Sequence, residues 1–264
     1  MKNVHLITSV FLLSASMTVN AGIIAPLNDG SWSILAQEDQ TEYYLSPGYG
    51  GQLFDAEYLL YKFDEPTGNL SIALQTGFNI LGDNHITYQN QSYWGGDLFL
   101  SFDGSTSDYE FALDFGQITG GWSDSNLSQA SGSISAVSAG LYGVTGVSND
   151  VYSGHTASNP LAMTSGNLLE SLTFNDYQGI HQTNGTNYYS YAYSTTFNLS
   201  SLGLSYDITQ LDAHWTMSCG NDAINGHGEI PPVSVPEPAS WMLMSTGLLA
   251  LFGGLIARRR REVL

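Results

Sequence analysis

Short runs of alternating apolar and polar residues, separated by glycine-rich turns, fill most of the chain between residues 22 and 230. In GGDLFLSFDGSTSDYEFALDFG, apolar residues recur at every second position on both sides of FDGST, which predicts a β-hairpin with one apolar face. That face carries Leu98, Leu100 and Phe102, then Tyr109, Phe111, Leu113 and Phe115. The same alternation places Asp108, Glu110 and Asp114 on the opposite face, in water.

Two later stretches repeat the pattern. Asn184 and Gly185 form a favoured two-residue turn before NYYSYAYSTTF, where Tyr189, Tyr191 and Tyr193 fall on one side of a strand. LDAHWTMSC predicts a strand with one buried face, which consists of Leu211, Ala213, Trp215, Met217 and Cys219. Because no helical period stands out between the termini, we predict an all-β fold, a jelly-roll-like β-sandwich, as one domain over residues 22–230.

The two ends of the chain follow a different pattern. Residues 1–21 combine Lys2, an apolar stretch and small residues before Gly22, and these features are typical of a secretory signal peptide. Residues 241–257 lack any charge and are long enough, at the short end of about 17 to 25 residues, to cross a membrane as a helix. A cluster of basic residues follows and predicts a stop-transfer signal on the cytoplasmic side: Arg258, Arg259, Arg260 and Arg261. The body is therefore expected to be exported.

A short motif precedes the apolar segment, at Val235, Pro236, Glu237 and Pro238. Together with the apolar segment and the arginines, it closely resembles the PEP-CTERM sorting signal of Gram-negative bacteria, here residues 236–264 after a spacer at 231–235. The resemblance implies an exosortase as partner, a precursor anchored in the inner membrane, and a mature form at the cell surface or outside the cell. The prolines hold the motif extended, as a processing enzyme requires.

Two further stretches resemble known proteins. YGGQLFDAEYLLYKFDEPTGNLSIALQTGFN and HWTMSCGNDAINGHG look like parts of a group of exosortase-dependent surface proteins, for which the resemblance implies no reaction. The order of D-A-E, two strands and then WGGDLFL is also similar to DOMON-like carbohydrate-binding modules.

The body of the protein is strongly acidic. Of the 24 acidic residues only Glu262 lies outside residues 22–238, where Lys62 is the only lysine or arginine. This balance argues against nucleic acid as a partner and against an anionic membrane surface for the mature form. It permits divalent cations, and a loop of Asp103, Ser105, Ser107 and Asp108 loosely imitates a calcium loop. Because the central glycine and closing glutamate are missing, a hairpin turn is favoured, and we expect no metal site or cofactor, with calcium as the alternative.

Catalytic motifs are not apparent in the sequence. Neither HExxH nor GxSxG occurs, so we expect no catalytic residues and no enzymatic activity, and a hydrolase with an unrecognised site is the third hypothesis. Cys219 is the only cysteine, and its place in an apolar series favours a buried core residue over an intermolecular disulfide.

Aromatic residues raise a glycan hypothesis. Trp94 and Tyr188 are the candidates for an exposed platform on which sugar rings stack, although aromatic residues at strand spacing more often fill a core. The leading interpretation is a structural or adhesive surface protein of the matrix or biofilm, associated with exopolysaccharide. The alternative is a carbohydrate-binding module.

Overall fold

The computed structural model describes residues 22–37, 52–82, 85–88, 91–106, 108–117, 138–149, 151, 159–183, 186–204, 208–220 and 222–231. Over these residues the protein is all-β with antiparallel sheets, as the sequence predicts. The first strands are β1 (Ser33–Gln37), β2 (Ala56–Asp64), β3 (Asn69–Thr76), β4 (Ile86–Tyr88), β5 (Gln91–Tyr93), β6 (Leu98–Ser101) and β7 (Phe111–Asp114). They are followed by β8 (Gly140–Ser148), β9 (Ala162–Ser171), β10 (Asn175–Thr183), β11 (Thr186–Asn198), β12 (Gln210–Thr216) and β13 (Ala223–Glu229).

The strands form two large sheets and one small hairpin. The order is β1-β2-β3-β11-β10 in the five-stranded sheet and β13-β12-β6-β7-β8-β9 in the six-stranded sheet, while β4 pairs with β5. Short 3₁₀ helices lie at Gln52–Phe54 and Leu199–Leu202. No helix of the described part of the chain is long and apolar enough to cross a membrane.

One hydrophobic core lies between the two large sheets. The five-stranded sheet contributes Leu59, Ile72, Leu74, Tyr193 and Phe197, and the six-stranded sheet contributes Leu98, Leu113, Leu141 and Trp215. All five residues predicted for the apolar face of LDAHWTMSC lie in this core, including Cys219, which is 1% exposed. The core interpretation of Cys219 is therefore confirmed.

Both predicted hairpins are present. Strand β6 pairs antiparallel with β7, and β10 pairs with β11 up to Thr183 and Thr186, on either side of the predicted Asn184-Gly185 turn. The turn residues themselves lie outside the described residues.

Two side chains of the first hairpin are not where the alternation predicts them. Tyr109 precedes the first residue of β7, so strand alternation does not extend to it, and it packs with Phe99 on the outer face of the six-stranded sheet. Asp114 does not lie in water, because it is 5% exposed. Tyr142 and Met163 belong to the apolar cluster that covers this outer face.

A β-bulge shifts the pattern of β2. The pairing with β3 slips between Ala56 and Tyr58, so that Glu57 is the extra residue. As a result Ala56 and Leu59 both face the core, three positions apart. Strict alternation would place Glu57 on the same face as Leu59. With the bulge, its carboxylate instead reaches Gln75 of β3 on the outer face.

The edge strands β1 and β13 lie side by side and close the sandwich along one side of the core. Leu35 of β1 is buried against β13. Tyr61 of β2 also donates a 3.1 Å hydrogen bond from its hydroxyl to the Glu229 carbonyl. These contacts join the edge of one sheet to the edge of the other.

Candidate functional site

A buried carboxylate, Glu57, is the centre of a polar cluster on the outer face of the five-stranded sheet. Its side chain is 5% exposed. Gln52 Nε2 and Ser190 Oγ each donate to Oε1 over 2.6 Å, and Gln75 Nε2 donates to Oε2. All three donors are neutral, so this buried acid is satisfied by hydrogen bonds without a cationic partner in the set.

Burial changes the acidity of Glu57. The loss of solvation raises its pKa to about 7, and the hydrogen bonds from Ser190, Gln75 and Gln52 offset only part of that rise. The nearby Asp55 carboxylate raises the pKa further. Near neutral pH the group is therefore divided between its charged and neutral forms.

The segment that begins at Gly22 runs over this cluster. The Gln75 side-chain amide binds it at two points, because Oε1 accepts from the Ile24 N–H over 2.9 Å and Nε2 donates to the Gly22 carbonyl over 3.1 Å. Ile24 and Leu27 are buried in a second apolar cluster, together with Tyr58, Leu60, Ala73 and Ala192. A cavity of about 360 Å³ opens beside the cluster and is lined by Gly22–Ala25, Gln178–Ile180 and Ser190.

A second polar group lies on the outer face of the six-stranded sheet. His214 is 1% exposed and stacks against Tyr109 with ring centroids 5.8 Å apart. Its Nε2 lies 3.0 Å from the Pro160 carbonyl, which only accepts, so Nε2 carries a proton. Its Nδ1 lies 2.7 Å from the side-chain amide of Asn225. The imidazole thus fixes the positions of two neighbouring segments.

Next to it, Asp212 and His227 form a pair across β12 and β13. Asp212 Oδ1 lies 2.7 Å from His227 Nδ1, and the His227 side chain is 64% exposed while Asp212 is buried. Burial, and then the Asp212 charge, raise the pKa of Tyr109 to about 12. Because His227 is open to solvent, the pair adds little stability by itself.

A cavity of about 480 Å³ lies near this group and is lined by Asp108–Glu110, Val144–Val147, Asn149 and Asn159–Pro160. Glu110 Oε2 and Asn159 Oδ1 are buried and have no hydrogen-bond partner in the structure. Burial is also the main cause that raises the pKa of Glu110. Glu110 and Asn159 line the cavity, but these two oxygen atoms are themselves shielded from solvent.

A third set of buried acids, Asp97 and Asp114, lies on the same outer face. Asp97 Oδ2 accepts from the Met163 N–H over 2.7 Å, and Asp114 Oδ1 accepts from the Gly116 N–H over 2.6 Å. Burial raises the pKa of Asp114 to about 6. Burial and the neighbouring Asp114 charge raise the pKa of Asp97 well above its usual value.

The predicted glycan platform requires a correction at Trp94. Its ring is 9% exposed and stacks on His85, with centroids 5.6 Å apart. The backbone is tied to Ser218, whose N–H donates to the Trp94 carbonyl over 2.9 Å. Trp94 therefore does not offer an exposed platform, and the side chain of Tyr188 lies outside the described part of the structure.

Asp103, Ser105 and Asp108 of the calcium-like loop lie between β6 and β7, and Ser107 lies outside the described residues. Asp103 Oδ1 accepts from the Ser105 N–H over 2.7 Å and from Ser101 Oγ over 3.0 Å. Among the described residues, no group of three or more histidine, cysteine, aspartate or glutamate side chains is arranged to hold a metal ion.

Sequence reasoning missed the Glu57 and His214 clusters. Glu57 stands between Ala56 and Tyr58 in the largely apolar run FDAEYLLYKF, and an acid flanked by apolar residues is the one local indication that its carboxylate needs internal partners. His214 lies in β12 between residues that face the core. One of its partners, Pro160, is distant in sequence, and the other, Asn225, lies on the next strand. Nothing local predicts those contacts.

Comparison with known proteins identifies the C-terminal segment. Residues 234–261 match the family model of the PEP-CTERM protein-sorting motif, and this confirms the predicted resemblance. The motif is that of an exosortase-targeted surface protein and implies export. No curated protein matches the chain, and no solved structure matches it either. Several predicted features lie outside the described residues, and the structure leaves the sequence predictions for them untested. They are the signal peptide at residues 1–21, Val235, the motif at Pro236, Glu237 and Pro238, the segment 241–257 and the four arginines.

Proposed function

We propose that this protein is an exported component of the cell surface or extracellular matrix, where its acidic β-sandwich body has a structural or adhesive role in association with exopolysaccharide. The precursor is held in the inner membrane by residues 241–257, and an exosortase removes the tail near Pro236, Glu237 and Pro238. The observation that carries this proposal is the sorting motif at residues 234–261.

The end of the folded body supports the proposal. Ile230 is 1% exposed, and its N–H donates to the Thr209 carbonyl over 2.8 Å, whereas Pro231 is exposed. Among the described residues, burial in the sandwich thus ends at Ile230, directly before the predicted spacer. Cleavage near Pro238 would leave the core contacts of the sandwich in place.

The amino-acid composition of the body is suited to a protein that functions outside the cell. Lys62 is the only lysine or arginine between residues 22 and 238, and excess negative charge keeps proteins soluble and dispersed. The two packed sheets supply a rigid core, and the topology we propose for them is jelly-roll-like. These features favour a scaffold over a partner for nucleic acid.

Replacement of the motif tests the sorting proposal. The triple variant Pro236→Ala, Glu237→Ala and Pro238→Ala should remain in the membrane fraction with its full tail, because the processing enzyme no longer finds its extended site. Intact mass spectrometry of membrane, surface and medium fractions measures this. The matched control replaces the spacer prolines Pro231 and Pro232 by alanine and should be processed normally. Equal release of the triple variant and the control would contradict the proposal.

A second candidate function, carbohydrate binding, is favoured by the cavity at Glu110 and Asn159. The cavity is lined by the polar residues Asp108, Glu110, Asn149 and Asn159, whose side chains can exchange hydrogen bonds with the hydroxyl groups of a sugar. The protein should then bind to sugars on a glycan array. Glu110→Ala should abolish this binding, whereas the control variant Asp64→Ala, at a distant turn, should keep it. Equal binding by the two variants would remove this cavity from consideration.

A further inference from the structure

We propose that the Glu57 pocket is a binding site for a primary ammonium group, and that its occupant is the α-ammonium of Gly22, which becomes free when residues 1–21 are removed. The inference rests on the proposed export, because this amine exists only after the signal peptide has been cleaved. It assigns a function to a buried carboxylate that the sorting proposal does not use.

The hydrogen bonds of the Gln75 side chain place Gly22 next to Glu57. A single atom, Gln75 Nε2, hydrogen-bonds both the Gly22 carbonyl and Glu57 Oε2. In an extended chain, the N–H and C=O of one residue point to the same side. The Gly22 carbonyl and the Ile24 N–H both face the Gln75 amide, so the Gly22 nitrogen faces the Glu57 side as well.

The space around Gly22 is open. No heavy atom lies within 4 Å of the position that a Gly22 Cβ would take. Gly22 and Ser190 line the same cavity, and Ser190 Oγ binds Glu57 Oε1 over 2.6 Å. The cavity thus connects Gly22 with a side chain that binds the Glu57 carboxylate.

The charges around Glu57 favour a cation. Buried carboxylates are costly unless they are paired, and the hydrogen-bond donors to Glu57 are the neutral side chains of Gln52, Gln75 and Ser190. Lys62 is the body's only lysine or arginine, and its Nζ lies 3.3 Å from Ser31 Oγ. The new amino terminus is thus the cation that processing supplies at this point of the fold.

The segment after Gly22 is anchored firmly. Ile24 is 7% exposed and Leu27 is 2% exposed, so the terminus is held two residues from a buried side chain. Ile24 lies against the backbone of Gly179 in β10, where a Cβ would come within 2.8 Å of Ile24 Cγ1. Because the anchor is already ordered, the ammonium loses little conformational freedom when it binds.

The pairing has a pH signature. Without a cation, the raised pKa of Glu57 means that stability is greatest below pH 4.5 and is lost as the pH rises through about 7. With the ammonium bound, the Glu57 pKa falls and the pKa of the amine rises. The contribution of the pair to stability is then complete below the ordinary amine pKa of about 7.7–8.0 and is lost as the pH rises through the raised amine pKa. The other titratable groups that face Glu57 are Asp55 and Tyr58, while its neighbours on β3 and β11 are neutral.

The experiment uses the processed protein, recovered from the surface or medium of an exporting host in a Lys62→Arg background. In that background the α-amine is the only primary amine. Intact mass gives the first residue, and the α-amine is then titrated by its rate of acetylation against pH. Thermal unfolding is compared at pH 7 before and after acetylation. The same measurements on Glu57→Gln are the matched control.

We expect a chain that begins at Gly22, with an amine pKa at least about one unit above the ordinary 7.7–8.0. Acetylation should lower Tm by about 3 °C, since it breaks the pair. In Glu57→Gln the amine pKa should return to the ordinary range and acetylation should leave Tm unchanged. An ordinary amine pKa in the parent, an equal Tm loss in Glu57→Gln, or a different first residue would each overturn the proposal. A retained C-terminal tail in the same mass spectrum would count against the sorting proposal alone.

Discussion

Leu35 of β1 lies directly over the backbone of Gly226 in β13, so closely that a Cβ at Gly226 would come within 2.6 Å of Leu35 Cγ. Gly228 is related to Leu35 in the same way, with 2.6 Å to Cδ1. These two glycines form a slot that receives a leucine from the other sheet. The slot lets the edges of the two sheets approach, so Leu35 is 7% exposed.

Gly226→Ala should destabilise the protein by about 1–3 kcal/mol, because the added methyl group overpacks the slot and displaces Leu35. Urea unfolding measures the change. Gly143→Ala is the matched control, since its Cβ would meet no atom closer than 3.9 Å. In the double variant with Leu35→Ala, the cost of Gly226→Ala should largely vanish. Additive costs would contradict the direct contact.

Asp114→Asn should flatten the dependence of stability on pH. Because the folded pKa of Asp114 is raised to about 6, its contribution is complete below pH 3.8 and is lost as the pH rises through 6. The asparagine carries no charge, and its Oδ1 can still accept from the Gly116 N–H. Above pH 7 the variant should be more stable than the parent by about 2 kcal/mol.

Denaturant unfolding at several pH values checks the Asp114 prediction. Asp108→Asn is the matched control, because Asp108 is exposed. Identical pH profiles for the two variants would show that burial of Asp114 does not affect folding.

The Cys219 thiol should react with a thiol reagent only when the protein unfolds. It is 1% exposed in the core between the sheets, so the reagent has no access in the folded state. The labelling rate should rise with denaturant in step with unfolding. Rapid labelling without denaturant, or dimers on a non-reducing gel that disappear with reductant, would overturn the core assignment.

Asn198→Ala should cost about 1–2 kcal/mol, because Asn198 connects two turns. Its Oδ1 accepts from the Ser200 N–H over 2.9 Å as the N-cap of the Leu199–Leu202 helix, and its Nδ2 donates to the Thr67 carbonyl over 2.8 Å. Asn198→Asp keeps the cap and loses the donor, so its cost should be intermediate. Equal losses of Tm in the two variants would show that the cap contributes nothing.

The hairpins and the buried face of β12 could be predicted because alternation is a local property of a strand. Leu211, Ala213 and Trp215 lie within β12, and all three reach the core as predicted. Asn184 and Gly185 indicate a turn by their own conformational preferences. Such features need no knowledge of distant residues.

The polar clusters could not be predicted in the same way. The bulge at Glu57 depends on how β2 pairs with β3, and one extra residue moves the carboxylate from the core side to the outer face. Asp114 is buried because an apolar cluster containing Tyr142 and Met163 covers the outer face. Trp94 is covered by His85, and the alternation of residues along a strand does not predict that the two rings meet. Each of these depends on which segment lies above a sheet, which alternation does not encode.

The closed edge also determines how the body carries mechanical load. Among the described strands β1 and β13 come first and last in sequence, and they lie side by side as the edges of different sheets. A chain pulled at both ends would load this seam, where the resistance comes from Leu35 in its glycine slot and the bond from Tyr61 to Glu229. We expect the seam to open under tension before the hydrogen-bonded centres of the sheets, so that the body would yield in steps.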